Sequence, residues 1–182
     1  MTLTRLSMSL LVAAAAFTSA QAQELRYGVQ AHLSLPMGDL KDAVDNKPGI
    51  GGGVHMTVDF GQGHVLRPRL DYLAFPDATI STVKNKVNEL SLGVDYLYMM
   101  EGNTGFYLTG GLAANRWSVQ MDVPGFGSFS SNTTKLGYAL GAGYAFNENL
   151  SVEARFTVTK FETQAVSDQN ANALQVGATY RF

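Results

Sequence analysis

Residues 135–159, KLGYALGAGYAFNENLSVEARFTVT, hold two runs of strict alternation on either side of a short polar turn. In the first run Leu136, Tyr138, Leu140, Ala142, Tyr144 and Phe146 share one phase, against Lys135, Gly137, Ala139, Gly141, Gly143 and Ala145. After Asn147, Glu148 and Asn149, the second run sets Leu150, Val152, Ala154, Phe156 and Val158 against Ser151, Glu153, Arg155, Thr157 and Thr159. A period of two sustained over this length is a strand signal, not a helical one. The Asn-bounded turn suits a hairpin. The second phase is informative in its own right. A water-facing sheet would carry many Lys and Glu there, and this chain uses Gly, Ala, Ser and Thr instead.

The same alternation recurs along the chain. It appears at residues 25–35, 50–60, 66–74, 89–98, 106–117 and 174–182, which with the opening pair makes eight strands and no helix between them. The connections alternate in length. Those at 61–64, 101–105 and 147–149 are tight, while 36–48, 76–83, 118–133 and 162–172 are longer. In an up-and-down meander alternate connections lie at the same end, so all tight turns fall at one end and all longer loops at the other.

The first residues stand apart from this pattern. Arg5, the apolar run 6–17 (LSMSLLVAAAAF) and the A-x-A at Ala20–Ala22 describe a secretory signal peptide, so 1–22 are expected to be cleaved and 23–182 to form the domain. Of the 13 basic residues one, Arg5, lies in this leader, which leaves 12 against 15 acidic ones. A mildly acidic chain without a basic stripe gives no basis for nucleic-acid binding. With no cysteine in the sequence, disulfides and thiolate chemistry are excluded.

Alternation alone does not say which face points inward, because a soluble barrel and a membrane barrel both alternate, with opposite polarity. The small residues of the polar phase favour a membrane barrel, and so does the clustering of Tyr27, Phe60, Tyr96, Tyr98, Phe106, Tyr144, Phe146, Tyr180 and Phe182 towards the tight-turn end. Such rings form a girdle at the headgroup level. Strand length agrees: about ten residues at ~3.3 Å each, tilted by roughly 40°, cross about 25 Å of hydrocarbon. The expected fold is an all-β, eight-stranded antiparallel up-and-down transmembrane barrel, closed by pairing of the last strand with the first. On the eight alternating runs, the LPMGDL after the first strand, the Gly-rich YLTGGLAANRW and the terminal VGATYRF, the chain resembles the small eight-stranded outer-membrane barrels, the group of the OmpA transmembrane domain and OmpX. The resemblance implies insertion in the bacterial outer membrane among lipid and lipopolysaccharide. It also implies a last strand read by the barrel-assembly machinery, with Val176, Ala178, Tyr180 and Phe182 as that signal.

Inward charges are then the candidate site. Arg26, Arg67, Arg69, Lys135, Arg155 and Arg181 nearly balance Asp59, Asp71, Glu89, Asp95 and Glu153, with a central cluster expected at Arg69, Asp71, Asp95, Glu153 and Arg155. The cluster reads as a narrow ion path or as a plug of salt bridges, and the small bore of eight strands favours the plug. His32 and His55 face the same lumen without a third ligand at matching spacing, so no metal, cofactor or catalytic set is assigned. Among the loops, 118–133 is the longest, and its Phe126 and Phe129 suggest contact with an extracellular ligand; a hairpin extension above the membrane is the other reading. Asp39, Asp42 and Asp45 read as a solvated loop or a divalent-cation site. Lumen glycines such as Gly141 are expected to accept Ser more readily than Leu140 accepts Arg. The functional expectation is an envelope or surface scaffold whose loops make adhesive or ligand contacts. A narrow channel is the alternative, and a lipid-modifying enzyme the minority reading.

Overall fold

The computed structural model describes residues 24–80, 83–125, 127–161 and 169–182; the expected leader at 1–22 lies outside them. Nine strands follow in order: β1 (Glu24–Met37), β2 (Gly49–Asp59), β3 (His64–Ala74), β4 (Ala78–Ile80), β5 (Val83–Glu101), β6 (Thr104–Val123), β7 (Gly127–Ala145), β8 (Leu150–Phe161) and β9 (Gln169–Arg181). One short helix, α1 (Asp39–Ala43), follows β1. All pairings are antiparallel between neighbours, and β1 pairs with β9, from Gly28 opposite Arg181 to Met37 opposite Asn172. The sheet is therefore a closed ring. β3 and β4 both pair with β5, so they share one wall and the nine strands form the eight walls expected. Pro68 interrupts the β2–β3 ladder between His55–Arg69 and Val58–Leu66, as a residue without an N–H must. Among the described residues no helix is long and apolar enough to cross a membrane.

The apolar phase points outward. Leu92, Leu112, Leu140 and Val54 are all more than half exposed on the ring's outer surface, while Thr109, Ser91 and Ala139 of the other phase are buried. At the tight-turn end the predicted aromatics face out, with Phe106 against Tyr144 at 4.9 Å and Tyr144 against Phe146 at 5.2 Å between ring centroids. His64 joins them, with Nδ1 2.5 Å from the Tyr96 hydroxyl. Here Gly61 and Gly63 take the positive φ of the turn between β2 and β3, and Asp59 accepts the Gly61 N–H at 2.7 Å. Asn147 closes the β7–β8 turn by accepting from the N–H groups of Asn149 and Leu150.

At the other end the structure takes the second of the two readings of 118–133. The described residues of that stretch form a hairpin extension, not a loop. β6 runs to Val123 and β7 starts at Gly127, paired from Val123–Gly127 without a register shift down to Gly105–Ala145. The reason is an inversion of polarity. Below Ala114 the outward side chains of β6 are apolar; above it they are Arg116, Ser118, Gln120 and Asp122, while Trp117 and Val119 are buried on the inner side. β5 inverts at the same level, with Lys84 and Lys86 outward and Val87 inward. These strands leave hydrocarbon and continue as an ordinary water-exposed sheet. The loop at 36–48 likewise contains α1, whose Leu40 is buried together with Val44, which follows the helix. Asp39, expected in a solvated or cation-binding loop, instead accepts the Asn170 N–H at 2.9 Å and ties α1 to β9.

The inversion level fixes where hydrocarbon ends on β7. Leu140→Arg should cost about 2–4 kcal/mol and Thr134→Arg, six residues higher in the same outward phase, about 0–1 kcal/mol. Urea titration of the barrel refolded in lipid vesicles measures both; equal costs would refute the placement.

Candidate functional site

The inward residues of β3 show how the lumen is layered. From the tight-turn end they are Val65, Arg67, Arg69, Asp71 and Leu73, with Phe75 just beyond the strand: apolar, charged, then apolar again, and all buried. The ladder places Arg67 opposite Asp95 and Asp71 opposite Ser91. Arg67 Nη2 donates to Asp95 Oδ2 at 2.8 Å and to Glu153 Oε2 at 2.9 Å, bridging walls on opposite sides of the bore. Arg69 Nε donates to both Asp95 oxygens, at 3.1 and 3.0 Å, and its Nη1 to Asp71. Arg155 approaches Asp95 at 3.5 Å and donates Nε to Gln175 Oε1 at 2.8 Å. The Tyr107 hydroxyl donates to Glu153 at 3.1 Å, and Gln30 to Asp71. A second chain leads from Arg69 through Ser91 Oγ to Asn115 Oδ1.

Arg69, Asp71, Asp95, Glu153 and Arg155 thus meet in one network. Asp95, 1% exposed and paired with three arginines, is its hub, and the sequence reading counted Arg67 as inward but left it out of the cluster, although it is 2% exposed and bound to two carboxylates. The place of Arg67 in the network depends on the register that sets it beside Asp95, and the alternation of β3 alone does not carry register.

The small residues of the inner phase make room for these side chains. Asp71 lies opposite Gly53, Asp95 opposite Gly111, Arg155 opposite Gly141 and Tyr107 opposite Gly143. A methyl added at Gly111 or Gly53 would collide with the carboxylate beside it, and one at Gly143 with the Tyr107 ring. Gly141 therefore does not tolerate Ser as the sequence suggested. A Cβ there would lie 2.5 Å from the Ala154 carbonyl oxygen and 2.7 Å from Arg155 Cβ. His32 and His55 also lie over glycines, Gly51 and Gly28.

Apolar layers close the bore on both sides of the charges. Val65, Leu97, Met99, Tyr107 and Ala145 form one towards the tight-turn end. At the opposite mouth Leu40 and Val44 drop onto Leu73, Phe75, Val87 and Trp117 as a lid. Between lid and network lies a cavity bordered by His32, Ser34, Glu89, Asn115 and Thr159. Among the described residues no group of three or more His, Cys, Asp or Glu side chains is placed to hold a metal ion. The arrangement opposes carboxylates with guanidinium groups at nearly every contact, which suits it to filling and bracing the bore.

The remaining sequence candidates lie on the outside. Val176, Tyr180 and Phe182 are outward and exposed, with Ala178 between them in the same phase. The Phe182 N–H donates to the Tyr27 carbonyl at 2.9 Å, so the last residue closes onto β1. Phe129 is exposed on the raised β6–β7 hairpin, opposite Met121. Phe126 lies outside the described residues.

Residues 8–182 match a family described as outer membrane protein beta-barrel domain. The chain belongs to this family. An outer-membrane β-barrel is thus what the ring, its outward apolar belt and its filled lumen amount to, and its place is the bacterial outer membrane. Solved structures of such barrels share the fold at low identity. The Ail attachment invasion locus protein of Yersinia pestis has 16% identity and a TM-score of 0.65, covering 89% of this chain and 100% of that one. The N-terminal barrel domain of Pseudomonas aeruginosa OprF has 14% identity and a TM-score of 0.61, over 88% and 100%. Neisserial surface protein A has 19% identity and a TM-score of 0.59, over 89% and 100%. No curated protein matches the chain.

Arg67→Ala should destabilise this outer-membrane barrel by about 3–5 kcal/mol, because Asp95 and Glu153 lose a shared buried partner. Tyr107→Phe, which removes one hydrogen bond, should cost about 1 kcal/mol. Urea unfolding in lipid followed by tryptophan fluorescence (Trp117 is the sole Trp) compares them, and a Tyr107→Phe cost equal to that of Arg67→Ala would contradict the role of Arg67 as that shared partner.

Proposed function

We propose that this barrel is a closed scaffold that carries a contact surface outside the cell, and that the raised β5–β6–β7 sheet is that surface. The observation behind this reading is the packed lumen. Three layers of packed side chains fill the bore, and the lid of Leu40 and Val44 covers its mouth. A bore filled in this way leaves the surface beyond the membrane as the part available to other molecules. There β6 and β7 extend as a hairpin with Phe129 exposed near its tip, which gives the sequence reading of a ligand-contacting loop a rigid form. Rigid strands present a contact with less ordering cost than a floppy loop. Ail, which shares the fold, has also been solved in complex with the heparin analogue sucrose octasulfate, and heparin is therefore a reasonable first probe for this barrel. On the same reading the outward edge residues Val176, Ala178, Tyr180 and Phe182 present the last strand to the barrel-assembly machinery before β1 closes on it.

Replacing residues 121–129 by Asn-Gly joins the ladder pair Gln120–Ser130 by a two-residue turn and removes both Phe126 and Phe129. Cells displaying this variant should lose most binding to a heparin-coated surface, while the barrel keeps its heat-dependent gel shift. Undiminished binding would overturn the reading. Stepwise conductance of the intact barrel in a planar bilayer would favour the narrow channel instead.

A further inference from the structure

Three basic residues lie outside every network described so far. Lys84 and Lys86 on β5 and Arg116 on β6 all belong to the outward phase, and all are exposed. None of the ion pairs among the described residues uses them. They lie on two adjacent walls. The ladder sets Arg116 between Leu90 and Thr134, Lys86 opposite Gln120 and Lys84 opposite Asp122. On β4, Thr79 lies opposite Lys84. The side chains around Arg116 and Lys86 in this phase are Asn88, Ser118, Gln120 and Thr134, so Asp122, at the top of the hairpin, is the nearest acid in the ladder. Asp122 is engaged by Gln120 and Ser128.

Their height on these walls gives these charges a meaning. Directly below them the same phase turns apolar, with Leu90, Leu112 and Leu136 exposed to hydrocarbon. Arg116 is the first residue above this belt on β6, at the depth where acyl chains give way to headgroups. A cation so placed lowers its energy by meeting anionic headgroups, and clusters of such residues read as anionic-lipid sites. Lys86 stands four positions beyond Leu90, the ladder partner of Arg116; that is roughly 13 Å along the strand, more than a single phosphate spans.

We propose that Lys84, Lys86 and Arg116 form a lateral binding site for a diphosphorylated lipid headgroup of the outer leaflet, that of lipid A. Arg116 takes the phosphate nearer the hydrocarbon, and Lys86 with Lys84 takes the one further out. Asn88, Ser118 and Thr134 supply hydroxyl and amide groups for the sugar between them. A soluble polyanion fits less well. The site faces sideways along the membrane plane, and Asp122 stands at its upper end opposite Lys84. The inference rests on the reading that the β5–β7 end faces outside the cell.

The test compares the intact barrel with Lys84→Gln/Lys86→Gln/Arg116→Gln, both checked for the heat-dependent gel shift, in detergent with EDTA so that divalent ions bridge nothing. Each is titrated with diphosphoryl lipid A and with its dephosphorylated form, and bound lipid is read by native mass spectrometry. The intact barrel should prefer the diphosphoryl form by about 10- to 100-fold, and the triple variant should lose that preference. Lys41→Gln on α1 should keep it. If the triple variant does not fold, Lys84→Gln/Lys86→Gln, which leaves the apolar belt untouched, should weaken the preference about tenfold. The proposal is overturned by an intact barrel without preference, by a variant that retains it, or by an equal loss in Lys41→Gln. It is also overturned if the triple variant loses heparin binding but keeps the lipid preference, since the charges then serve a soluble glycan. The hairpin truncation keeps all three cations, so its loss of surface binding and its retention of lipid preference are separate results.

Discussion

Backbone pairing in hydrocarbon is the constraint on which the rest of this structure depends. An unpaired N–H or C=O inside a bilayer costs several kcal/mol, so a sheet that crosses must have no free edge. β1 and β9 meet that demand, and the final N–H of the chain, on Phe182, extends the closure to the rim by bonding to Tyr27. Closure with eight walls in turn fixes a bore narrow enough for side chains to pack across. The glycines opposite Asp71, Asp95, Arg155 and Tyr107 are the most direct expression of that packing.

Charges rather than methyl groups fill the middle, and the reason lies in register. In a strand a slip of one residue exchanges the two faces. Were both phases of β3 apolar, Leu66, Leu70 and Tyr72 could face inward as readily as Val65 and Leu73. With Arg67, Arg69 and Asp71 between them, a slip would carry three charged groups into lipid. Buried ion pairs are weak evidence of net stability. Here they discriminate strongly among alternative pairings, and Arg67 ties two distant walls into one arrangement through Asp95 and Glu153.

Those features that follow from a period of two were legible in the sequence: the number of walls, the outward phase of each, the aromatic girdle, and the pairing of the last strand with the first. What the sequence hid depended on register or on a change of solvent. The hairpin above the membrane is one of two readings the sequence leaves open, because Trp117, Val119 and Met121 carry the apolar phase into the opposite face and no single phase runs past Arg116. Pro124 and Gly125 in a run of small residues then read as loop composition for the whole segment instead of for its tip alone. α1 was hidden for a different reason: five residues are too few for a helical period, and Leu40 and Val44 became a lid only once the mouth of the barrel was in place. Arg67 and Gly141 were misjudged because neighbours across a ladder cannot be read from one strand.

The inversion at Arg116 also orders the molecule functionally. Below it, β5, β6 and β7 are built for hydrocarbon outside and polar groups inside; above it, all three face water outside, and β5 and β6 turn Val87, Trp117 and Val119 into an apolar inner layer. No break in hydrogen bonding separates the two regimes on β6 and β7, whose ladder runs unshifted from the tip to the tight turn. Trp117 and Val119, which pack in the cluster under the lid, lie on this continuous pair of strands. The boundary between the two regimes is one of the two levels where outward side chains meet headgroups. There β6 places Arg116, with Tyr72 of β3 at the same height, whereas the opposite rim carries the larger cluster of aromatics.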